Sequence, residues 1–245
     1  MNIFAMQTKA ELLRMFRNKY YIFWSLCMPI LFYFLFTRVI STPQEDQELW
    51  KAHYLMSMTT FSVMGSSIMT LGIKLVQEQA EGWTRFMKIT PMSSGAYFAA
   101  KMMAQTVIHI FSIFVIFIAG VLINGVALTP LQWITSGLWI LFGSLPFLAI
   151  GTVIGTMKKV ETASGISNLI YMVLAITGGM WMPVEMFPKV MQAIAKWIPS
   201  YHFADGAWEI IRGGSPNINN FIIIIGYLFL FMLLSTYIRR KQEAV

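Results

Sequence analysis

Six long apolar runs alternate with short polar stretches along the chain. A helix needs about 20 mostly apolar residues to cross roughly 30 Å of hydrocarbon. Runs at about 20–40, 54–76, 102–123, 131–156, 163–182 and 220–238 meet that length. The first contains Pro29, which a spanning helix tolerates where neighbouring helices re-satisfy the freed carbonyl. It is too long for a cleavable signal peptide and no small-residue cleavage site follows it, so it reads as a retained anchor. The second run carries Ser57, Thr59, Thr60, Ser62, Ser66 and Ser67. It and the fifth run are polar enough to be expected against other helices rather than against lipid. The pattern predicts an all-α, polytopic membrane protein of six transmembrane helices, forming one transmembrane domain over 1–245.

Three further segments are amphipathic and too short to span. Residues 1–19 set Phe4, Leu12, Leu13 and Phe16 among Lys9, Glu11, Arg14, Arg17 and Lys19, which predicts a basic helix lying in the membrane interface. A plain positive flank orienting the first span explains it equally well. Residues 77–92 place Trp83, Phe86, Met87 and Thr90 at helical spacing before Pro91, which stops the helix. A short rigid helix there suits docking of a soluble partner, with a helix resting on lipid as the alternative. Residues 183–214 hold two apolar stripes, from Val184 to Ile198 and from Phe203 to Ile211, interrupted by Pro199. They predict an outer re-entrant helical pair, or else two helices lying flat on the surface. Asp205, Glu209 and Arg212 fall at i, i+4 and i, i+3 spacing, where a local ion pair accounts for them.

Composition narrows the class. The 245 residues are 57% hydrophobic and 12% charged, against roughly 25% charged for a soluble domain. The net charge of +7 does not point to nucleic acid, because the basic residues gather at the ends of the spans. With the N-terminus in the cytoplasm, 13 of the 18 basic residues fall inside. The positive-inside rule therefore predicts both termini in the cytoplasm of a multi-pass cell (plasma) membrane protein. Cys27 is the single cysteine, so no internal disulfide can form.

No GxxxxGK[ST], HExxH, GxSxG or CxxC motif occurs. No cofactor, metal site or catalytic centre is expected. His53, His109 and His202 lie far apart along the chain. His109 is the ionisable residue placed deep in a span, and Gln105, His109 and Ser112 share one face there. That face suits an interhelical hydrogen bond as well as a proton relay. Every Asp and Glu falls in a flank or loop, which argues against an ion-coupled carrier. Gly151 and Gly155 form a GxxxG packing face, and Gly178 and Gly179 allow a break after the fifth span.

These pieces resemble the membrane subunits of type 2 ABC exporters over essentially the whole chain. The local match is AEGWTRFMKITPMS, in which Glu81, Gly82, Thr90, Pro91 and Ser93 fit the family pattern, while Trp83 and Met92 depart from it. Lys101 before the third span, and Pro183, Pro188 and Pro199 in the outer segment, also fit. The resemblance implies a permease that pairs as a homodimer or heterodimer with a second permease. A separate P-loop ATPase subunit would bind the ATP, dock on the coupling helix at 77–92 and drive export of a drug-like, lipid-like or other amphipathic substrate. It assigns ATPase coupling to Glu81, Gly82, Arg85, Phe86 and Pro91. The alternatives are a membrane scaffold or immunity protein, a secondary carrier without an ATPase, and a membrane enzyme built on His202, Asp205, Glu209 and Arg212.

Overall fold

The computed structural model describes residues 3–39, 47–83, 89 and 93–243. These residues form helices joined by short turns, with no strand among the described residues. In chain order the elements are α1 (Ile3–Arg17), α2 (Lys19–Arg38), α3 (Gln47–Gly65), a π-helical turn (Ser66–Thr70) and α4 (Leu71–Ala80). Then follow α5 (Ser94–Asn124), α6 (Pro130–Gly143), α7 (Leu145–Ile154) and α8 (Val160–Thr177). A 3₁₀ turn (Val184–Met186), α9 (Lys189–Ala195), α10 (Pro199–Ile211) and α11 (Ile218–Glu243) complete the described chain. Among the described residues, five stretches are long and apolar enough to cross a membrane. The number rises to six if α1 and α2, bent by 64° at their junction, count as one span.

The polar run is the axis of the bundle. α3, the π turn and α4 make one rod over Gln47–Ala80 whose apolar window is 78% buried, against 11% for α11. Most of its hydroxyls cost little to bury because they bond back into their own helix, while Ser62 donates to the Ser25 carbonyl of α2 at 3.3 Å. Ser57 donates to the His53 carbonyl at 2.9 Å, Thr59 to Leu55 at 2.7 Å and Ser67 to Val63 at 2.8 Å. Small side chains then let α2, α5, α7 and α10 close around the rod. The GxxxG face of α7 packs as expected: a Cβ on Gly151 would strike the Ser67 carbonyl, and one on Gly155 would come within 2.6 Å of Leu75.

The structure adds detail to three of these expectations. Within this chain the fifth run is largely uncovered: α8 is only 17% buried in its apolar window, and its exposed face includes Thr162, Gly165 and Asn168. The fourth run is one candidate span, Pro130–Ile154, made of two helical segments. It breaks at Ser144, because Pro146 cannot supply the amide that an unbroken ladder needs there. The two outer helices differ. α9 exposes Val190 and Ile194, whereas α10 sinks into the bundle with Phe203, Ala204 and Ala207 fully buried. Gly206 permits that depth, since a Cβ there would fall inside the Trp139 ring. Trp139 also donates its indole N–H to the Phe203 carbonyl at 2.8 Å.

Candidate functional site

The helical wheel of α1 turns a charge inward. Glu11 and Met15, one turn apart, are its buried positions, while the apolar Leu13 and Phe16 are exposed. Met15 packs on Ala104 and Ile108 of α5. Glu11 thus reaches the place where the ends of α4 and α5 meet. Lys74 and Glu78 are four apart on α4, and Tyr97 and Lys101 four apart on α5, so each pair shares a face.

The five charges close into one staple. Lys101 Nζ lies 2.9 Å from Glu11 Oε1 and 2.7 Å from Glu78 Oε1. Lys74 Nζ sits 2.5 Å from Glu11 Oε2, and an Arg14 guanidinium nitrogen 2.9 Å from Glu78 Oε1. Tyr97 donates its hydroxyl to Glu78 Oε2, and Gln7 donates to Glu11 at 3.1 Å. Both Glu11 and Lys101 have side chains only 2% exposed. Burial alone would push the Glu11 carboxyl up, but Lys101 and Lys74 outweigh it and hold it below the ordinary carboxylate value. Buried charges survive when opposite charges and hydrogen bonds meet them, and here each carboxylate meets two cations: Glu11 meets Lys74 and Lys101, and Glu78 meets Arg14 and Lys101. The sequence reading placed every acid in a flank or loop; Glu78 instead ends a buried helix, because cations from two other helices meet it there.

The candidate coupling residues adjoin this staple. Residues 77–80 are the last turn of α4 rather than the start of a separate helix. The Glu81 amide donates to the Gln77 carbonyl at 2.9 Å and the Gly82 amide to Gln79 at 3.1 Å. Gly82 adopts φ +77°, the left-handed conformation that ends helices. Trp83 follows, with the Arg14 guanidinium 5.6 Å from its ring centre. Arg14, Lys74, Gln77, Glu78, Glu81 and Trp83 enclose a cavity of about 360 Å³. Arg85, Phe86 and Pro91 lie outside the described residues. Ser93 caps α5, its hydroxyl accepting from the Ala96 amide at 3.2 Å. The structure therefore gathers Glu81 and Gly82 with Arg14, Lys74, Glu78 and Lys101, of which the sequence reading had marked only Lys101. The i, i+4 pairs Lys74/Glu78 and Tyr97/Lys101, at the same end of consecutive spans, were the available signal.

Two other polar groups stand apart from it. Gln105, His109 and Ser112 are all buried on α5. His109 Nε2 lies 3.3 Å from Ser67 Oγ in the π turn, and Gln105 donates to Ser66. Asp205 and Glu209 do not pair with Arg212 among the described residues. Both accept instead from Asn220 of α11, at 3.1 Å each. Among the described residues no three His, Cys, Asp or Glu side chains group as metal ligands.

Two comparisons bear on this arrangement. The family model described as "ABC-2 type transporter" matches residues 3–212. A protein of Bacillus subtilis (strain 168) named "Putative transport permease YvfS" is 61% identical over 245 residues, which is all of this chain and all of that one.

Proposed function

The chain belongs to the ABC-2 type transporter family and is a membrane permease subunit of an ABC transporter, and we propose that it is the export path of an ATP-driven pump. A separate P-loop ATPase subunit supplies the ATP site, and the chain itself binds no cofactor. The substrate is amphipathic, drug-like or lipid-like, in keeping with the bundle's broad apolar surface. The termini and the 77–92 segment face the cytoplasm of the plasma membrane, the orientation favoured by the clustering of basic residues at that end.

The observation that carries this reading is the staple. The stretch between α4 and α5 has Glu81 and Gly82 at its root, and its two anchoring helices are tied to each other and to α1 through Glu11, Glu78 and Lys101. A push on that stretch moves three helices together. Glu81, Gly82, Arg85, Phe86 and Pro91 are proposed as the contact with the ATPase. Affinity capture of the tagged chain in mild detergent tests this. Recovery of a stoichiometric P-loop ATPase, lost when Glu81→Ala and Gly82→Trp are combined, supports the reading. A stable, inserted chain that captures no ATPase overturns it.

Pairing with a second permease is part of the same reading. Thr162, Gly165, Asn168, Met172 and Ile176 repeat at three- and four-residue intervals on the exposed face of α8. An amide facing lipid is unfavourable unless another helix meets it. A small residue such as Gly165 lets that helix come close.

A further inference from the structure

One face of α2 is only partly covered by the rest of the bundle. Ile22, Leu26 and Ile30 form one row along it and Phe23, Cys27 and Leu31 a second, at the three- and four-residue spacing of a single helix face. Together they line a groove of about 700 Å³. Leu26 lies deepest, 9% exposed, whereas Phe23, at 59%, stands on the open side.

The two ends of the groove differ. At one end Ile123 of α5 joins the lining. One turn beyond Phe34, Arg38 donates to the Ile123 carbonyl at 3.0 Å and Asn124 to the Thr37 hydroxyl at 2.8 Å, which clasps α2 to α5. At the other end stands Lys19, the first residue of α2 and the charged residue of the lining. From Lys19 to Phe34 the helix rises roughly 22 Å. One leaflet supplies half of the roughly 30 Å hydrocarbon layer, so the groove takes an acyl chain along its full length. α1 meets α2 at 64°, as a helix lying in the interface meets one that crosses the membrane, and Lys19 at that bend stands at headgroup depth.

Charge and side-chain size together point to one occupant. Among the described residues neither Lys19 nor the neighbouring Arg17 pairs with an acid, and α2 carries no acid of its own. Glu11 of α1 is already engaged by Lys74 and Lys101. The mouth of the groove is therefore positive and open to an anion. Its walls do not suit a packed helix. Helices that associate in lipid bring small residues to the contact so that their backbones approach, as the exposed face of α8 does with Gly165. The α2 stripe is Ile, Leu and Phe, its smallest member being Cys27. A lipid tail is as apolar as leucine, so moving one from the bilayer into the groove gains little by itself. The headgroup decides which lipid stays.

We propose that the α2 groove is a site for one phospholipid of net negative charge, its acyl chain lying along the Ile22–Phe34 face and its phosphate on Lys19. The lipid comes from the leaflet on the α1 side, because the clasp at Arg38 and Thr37 lies at the opposite end. Bound there, it completes the surface between α1, α2 and the outer end of α5. The site does not depend on the export reading.

The test uses the full chain in phosphatidylcholine vesicles. A small share of the lipid is phosphatidylglycerol or, in parallel, phosphatidylcholine, carrying a diazirine in the acyl chain. After illumination the adducts are mapped by peptide. Phosphatidylglycerol should label residues 22–34 well above the exposed face of α11 at residues 229–234, and phosphatidylcholine should show no such excess. Lys19→Gln, an exposed substitution that the fold tolerates, should lower phosphatidylglycerol labelling of α2 roughly fivefold and leave that of α11 as it is. Cys27→Phe fills the groove with Lys19 intact and should lower it as well. Equal labelling of α2 and α11 by phosphatidylglycerol overturns the proposal, as does labelling that ignores Lys19→Gln. So does an α2 face without lipid adducts, the result expected if a second copy of the chain fills the groove.

Discussion

Lys101 holds its ammonium between carboxylates from two helices that enter the sequence 90 and 23 residues earlier. Removing one partner of a buried charge group costs about 3–5 kcal/mol. Lys101→Met should therefore lower the chain's thermal midpoint in detergent far more than Lys9→Met on the exposed face of α1. Glu11 adds a pH dependence with a definite sign. Its carboxyl is held below the ordinary value, so its contribution is complete above that value and is lost as the pH falls through the lowered one. Deuterium uptake along α1 should rise on strong acidification, and Glu11→Gln should remove the pH dependence of that rise. Gly82 makes a different demand. Among the described residues nothing lies within 4 Å of a Cβ built on Gly82, so against them Gly82→Ala costs only the left-handed backbone, about 1 kcal/mol. Little of this was legible in the sequence. Glu11 reads as one polar position among several on a basic helix, since what buries it is the arrival of helices far along the chain. Gly82 was visible, as part of a local motif.

At the scale of elements, run length alone located the spans, because hydrocarbon thickness sets it. Which run lies inside was only half legible. The serines and threonines of α3 marked an interior helix correctly, the hydroxyls of Ser57, Thr59 and Thr60 being satisfied within the helix itself. Similar polarity on α8 had the opposite cause, a face turned away from its own bundle. The depth of α10 was open between insertion and a surface position, and Gly206 against Trp139 resolves it. Gly206→Ala must displace either the ring or the helix, and such overpacking costs about 1–3 kcal/mol. The expected outcome is a red-shifted tryptophan emission and earlier proteolysis after α10, measured against Gly226→Ala, which meets nothing within 4 Å among the described residues.

For the whole molecule, the exposed α8 face is the decisive surface. Cys27 is the single cysteine, so a Cys27→Ser chain carrying Gly165→Cys gives a clean probe of pairing. Disulfide-linked dimers should form in membranes at position 165 and not at position 222 on exposed α11. Equal cross-linking at both would remove α8 as the pairing face. The π turn in the central rod has its own consequence at this scale. A helix advances about 100° per residue, so the surplus residue wound into Ser66–Thr70 sets the compass bearing of everything beyond it. Were that turn to relax to ordinary pitch, α4 would swing by about that angle and carry Lys74 and Glu78 away from Glu11 and Lys101. The rod is in this sense a combination lock: its far end meets its partners at one dial setting, and the charges that meet there keep the dial from turning.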